Sequence, residues 1–76
     1  MPAISQRVHR LEFIARTEEA IGRSEQAITR QLILIATLTA NRQAANDAWD
    51  LLRVTEEHLA ELHVGRQLLL LDASAA

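Results

Sequence analysis

The sequence has no cysteine, which excludes disulfides and thiolate metal sites. It has one proline, two glycines and only 3% aromatic residues, a composition that points to packed helices rather than sheets. Lysine is missing too: all eight basic residues are arginine. Set against ten acidic residues they leave a net charge of −2, which argues against tight electrostatic binding to nucleic acid. No apolar run approaches the ~20 residues a transmembrane helix needs. The richest stretch, residues 31–40, is broken by Thr37 and Thr39. The first residues carry no apolar signal-peptide core, so the expected location is cytoplasmic, with no membrane partner. A Gly-rich phosphate loop, a serine or cysteine nucleophile elbow and a His-Glu-x-x-His pattern are all missing. The expectation is therefore a non-enzyme without catalytic residues, resident metal or cofactor.

What is present is apolar: 49% of the 76 residues, too many for a disordered chain. A chain this short forms one domain, residues 1–76, and buries only ~60–65% of the surface its unfolded form exposes. Without disulfides, such a domain commonly gains its missing burial by association.

The strongest pattern is a seven-residue repeat. Ile14, Ile21, Ile28 and Ile35 recur at heptad spacing, and Leu11, Glu18, Glu25 and Leu32 form a parallel series three residues before each of them. A sustained heptad keeps one helix face against a neighbour in a left-handed supercoil. The residues just before each Ile are Phe13, Ala20, Ala27 and Leu34, and those just after are Ala15, Gly22, Thr29 and Ala36. The apolar band is thus wider than a two-stranded seam needs and suits a helical bundle.

A second apolar series, Ala45, Ala48, Leu52, Leu59, Leu62 and Leu69, also has heptad spacing, with Thr55 and Arg66 filling two of its positions. It is offset from the Ile series by one position, which rotates the face by ~100°. The offset falls in a stretch without large apolar residues. Asn46 there is a candidate N-cap, with Asp47 and Asp50 favourable in the first turn that follows. These features predict an all-α helical hairpin: helix about 4–39, turn about 40–46, helix about 46–70, and a flexible tail over 72–76. Two hairpins would then associate as a four-helix bundle or coiled-coil-like dimer. The expected oligomer interface comprises Leu11, Ile14, Ile21, Ile28, Leu32, Ile35, Leu52, Leu59, Leu62 and Leu69.

Some polar and aromatic positions stand out. Glu18 and Glu25 interrupt the seam and are candidates for setting register, because buried polar groups penalise wrong pairings. Alternatively they sit at its flank and reach water or an arginine. Trp49, the only tryptophan, is a candidate partner anchor. Arg16, Arg23 and Arg30 form a stripe, with Glu12 and Glu19 placed four residues before the first two for intrahelical pairs. That stripe supports an alternative, an RNA-binding hairpin dimer. Glu57, His58, Glu61 and His63 support a further one, a carboxylate–histidine metal-binding bundle, although His58 and His63 point ~140° apart on a helix. The leading reading is a helical oligomerisation or interaction protein, a scaffold, adaptor or small regulatory binder. Its expected partner is a second copy of itself, with another protein as a further candidate.

Overall fold

The computed structural model describes residues 2–75. Two helices make up the fold: α1, Pro2–Ala40, and α2, Asn46–Ala75, packed antiparallel as a hairpin. At 1.5 Å per residue the 39 residues of α1 span ~58 Å, which sets the 61 Å long axis of a rod only 14 Å across.

The turn is built from hydrogen bonds that the α1 sequence leaves open. Gln43 N–H donates to Leu38 C=O at 2.8 Å and Arg42 N–H to Thr39 C=O at 3.1 Å. That pair of bonds is a Schellman motif, and Arg42 occupies its left-handed position with φ 56°. Glycine usually takes that position, which is why the sequence carries no glycine signal for the end of α1. On the far side Trp49 N–H donates to Ala45 C=O at 2.9 Å. Ala45 is therefore the capping residue of α2. Asn46, expected as the cap, is instead the first helical residue.

The α2 helix runs to Ala75, beyond the expected end near residue 70, so the segment expected as a tail is helical up to that residue. Ala76 and Met1 lie outside the described residues. Asp72, within this extension, pairs with Arg10 of α1 at 3.4 Å and ties the open end of the hairpin.

The core sits near the turn. Ile35, Ala48 and Leu52 are buried, with Ile28, Leu38 and Ala45 packed against them. Further along, Ile21 is buried beside a buried serine, Ser24. On α2 the inward series is the expected one: Ala48 and Leu52 are buried, and Ala45, Thr55, Leu59, Leu62, Arg66 and Leu69 are half-buried. On α1 the Ile series faces inward, but its companion series differs from expectation. Thr17, Ser24, Gln31 and Leu38, three residues after each Ile, turn towards α2. Leu11, Glu18, Glu25 and Leu32 lie exposed on the flank. Helix α2 has docked on the more polar side of the Ile stripe.

Candidate interaction surface

Polar side chains inside the hairpin bond to the backbone of their own helix and, at one point, to each other. Thr55 Oγ1 donates to Leu51 C=O in its own helix at 2.9 Å and accepts from Gln31 Nε2 across the interface at 3.0 Å. Thr17 Oγ1 donates to Phe13 C=O at 2.8 Å in the same manner. Gln31 Oε1 is buried and has no partner among the described residues. Gln31 and Thr55 thus hold a position in the seam that an apolar pair would fill more simply. Gln31 is not legible as a seam residue in the heptad pattern, because Leu11 and Leu32 make the opposite side of the Ile stripe the more apolar one.

Glu18 lies at the flank and accepts from Arg66 Nε at 3.1 Å, with Arg66 Nη2 also 3.1 Å away. Arg66 holds a seam position of α2, so its charge reaches outwards to a carboxylate on the exposed side of α1. Glu25 is exposed and makes no ion pair among the described residues. The Asp50–Arg53 ion pair and the His9–Glu12 contact, at 3.8 Å, each lie within one helix and are solvent-exposed, which makes each worth little.

The intrahelical pairs expected at Glu12–Arg16 and Glu19–Arg23 do not form among the described residues. The Arg16 guanidinium instead lies over the Phe13 ring, 5.8 Å from its centroid. Arg23 and Arg30 are exposed. Among the described residues no three His, Asp or Glu side chains are grouped to hold a metal ion. No helix there is long and apolar enough to cross a membrane.

The most informative property of the surface is how apolar it is. Phe13, Leu34, Leu51, Val54 and Leu68 are all roughly half-exposed or more, as are Leu11, Leu32 and Trp49. Of the expected interface residues, Ile21, Ile35 and Leu52 are buried between the two helices, and Ile14, Ile28, Leu59, Leu62 and Leu69 are half-buried. Leu11 and Leu32 face solvent, as does Trp49, the candidate anchor. No protein-family model matches the chain, nor does any curated protein or solved structure.

The two broad sides of the hairpin differ. One is formed by Phe13, Ala20, Ala27 and Leu34 of α1 with Leu51, His58 and Gly65 of α2, positions that immediately precede the inward series of each helix. Val54 and Leu68 widen it. The other side holds Leu11, Leu32 and Trp49, but Glu18, Glu25, Glu56 and His63 occupy its middle. The first side is therefore the more apolar one, and its centre is lined by small residues and His58.

Proposed function

We propose that this chain is a non-enzymatic helical interaction protein whose hairpins self-associate into a four-helix bundle, serving as a scaffold, adaptor or small regulatory binder. The observation that carries this reading is the surface left open by one hairpin. Its accessible area is 5927 Å². A compact monomer of its mass would expose about 4,700 Å² by the usual scaling of area with mass. The surplus exceeds the ~800 Å² per partner that a standard interface covers. Half-exposed Phe13, Leu34, Leu51 and Trp49 give that surplus the apolar character that associating surfaces have.

Light scattering at micromolar concentration tests the reading, together with thermal melts at several concentrations. A dimer whose melting temperature rises with concentration is expected. A monomer with a cooperative, concentration-independent melt would refute self-association.

A further inference from the structure

We infer that the partner is a second copy of this chain docked on the Phe13–Leu34–Leu51–Leu68 side, with both turns at the same end of the bundle. The inference rests on the self-association proposed above and adds the face and the relative direction of the two hairpins.

The choice of face follows from burial and charge. Five large apolar side chains, Phe13, Leu34, Leu51, Val54 and Leu68, are exposed on this side. Between them lie Ala20, Ala27, Gly65 and the exposed His58, and a Cβ added at Gly65 would meet nothing within 4 Å. Small residues at the centre let a second backbone approach closely, while the large ones at each end supply area. Docking on the opposite side would bury Glu25 and Glu56, which have no ion-pair partner among the described residues, and an unpaired carboxylate is expensive to bury.

The direction follows from the two edges of the same face. Along the α1 edge run Arg16, Arg23 and Arg30, all exposed and without ion-pair partners among the described residues. On the α2 edge, in the heptad positions of Val54 and Leu68, lie Asp47 and Glu61, likewise exposed and unpaired among the described residues. A two-fold axis parallel to the helices places α1 of each copy over α2 of the other, so the arginine edge of each copy meets the edge of the other that carries Asp47 and Glu61. A two-fold axis across the helices places α1 over α1, which sets arginine against arginine. Like-charge juxtaposition opposes that second arrangement. The antiparallel register that sets Glu18 against Arg66 also sets Arg23 level with Glu61, five residues further along each helix. Across the parallel axis that level is preserved, so Arg23 of each copy meets Glu61 of its mate, twice per dimer.

Two measurements on the full chain test this. The protein has no cysteine, so Ala44→Cys, at an exposed turn position, takes a single spin label per chain without altering the face. Dipolar spectroscopy is expected to give a label separation under about 30 Å, because neighbouring helices in a bundle pack ~8–10 Å apart. The crossed arrangement would separate the turns by nearly the 61 Å length of the rod. In the second measurement, Arg23→Glu and Glu61→Arg are each expected to weaken dimerisation about tenfold, and the double reversal to restore it to within about threefold. Helical circular dichroism at high protein concentration confirms that the variants are folded.

A monomeric parent overturns both the proposed function and this inference. A dimeric parent with a long label separation overturns the inference alone. So does a double reversal as weak as the combined single variants.

Discussion

Replacing Gln31 by leucine should stabilise the hairpin, even though it destroys the only side-chain hydrogen bond between neutral groups of α1 and α2 among the described residues. The lost bond from Gln31 Nε2 to Thr55 Oγ1 is worth ~0.5–1.5 kcal/mol net. The same substitution removes the buried, unpartnered Oε1, whose desolvation costs ~1–3 kcal/mol. It also adds apolar surface at a half-buried position, worth ~1 kcal/mol. Thr55 is not orphaned, since its hydroxyl still donates to Leu51 C=O. The balance favours Gln31→Leu by ~1–2 kcal/mol, and each kcal/mol moves the midpoint of a domain this size by ~4–8 °C. Thr55→Val should have the opposite sign, because it strips Gln31 Nε2 of its only partner among the described residues and leaves a part-buried amide unsatisfied, at a cost of ~1–3 kcal/mol. Thermal melts followed by circular dichroism, at one fixed protein concentration, give both values. A lower midpoint for Gln31→Leu would show that the pair stabilises the hairpin on balance, and a raised one for Thr55→Val would show that the bond it removes is not needed.

Ile35→Ala, at a 5% exposed site, should cost ~2–4 kcal/mol, whereas Ile33→Ala, at a 62% exposed site two residues away, should stay within ~0.5 kcal/mol. Equal shifts in urea midpoint would contradict the assigned inward face. Arg42→Gly should raise stability by ~1 kcal/mol, because glycine enters the left-handed region without the Cβ clash that arginine carries at φ 56°. The check is a urea titration in which the slope is unchanged and the midpoint rises. Gly22→Ala should stabilise α1 by ~0.5–1 kcal/mol, since an added Cβ meets nothing within 4 Å. A lower melting temperature there would mean that the assembled protein needs a close backbone approach at Gly22.

Much of the architecture is legible in the sequence because it rests on periodicity. Heptad spacing in both halves, with a one-position offset between them, suffices for two helices and a turn. The inward series of α2 is readable down to its polar members Thr55 and Arg66. Three features were not readable, for distinct physical reasons. The flank of the Ile stripe that α2 covers is set by how the turn delivers the second helix, and local hydropathy favours the opposite flank, with Leu11 and Leu32. The C-terminal end of α1 lacks its usual glycine, since Arg42 takes the left-handed position. The expected glutamate–arginine pairs depend on side-chain rotamers, and Arg16 lies over Phe13 instead. Of the candidate interaction surface, the sequence shows the width of the apolar band and the arginine stripe. It does not show that Arg23 and Glu61 share a level, which needs the register of the two helices.

The uneven packing along the rod has a consequence for how the hairpin closes and opens. Its clustered apolar residues, Ile28, Ile35, Leu38, Ala45, Ala48 and Leu52, lie next to the turn, whereas the opposite end is tied by the Glu18–Arg66 and Arg10–Asp72 ion pairs. Bringing Leu38 to Ala48 closes a short loop, the least costly kind in chain entropy. Helix pairing can therefore nucleate at the turn and zip towards the termini, and fraying runs in the reverse order. Salt-screened ion pairs at the open end yield before the apolar cluster does. Amide exchange should accordingly be slowest around Ile35 and Leu52 and fastest near Arg10 and Asp72. A frayed hairpin keeps its turn while uncovering Ile14 and Leu69, so partial opening presents fresh apolar surface at one end only.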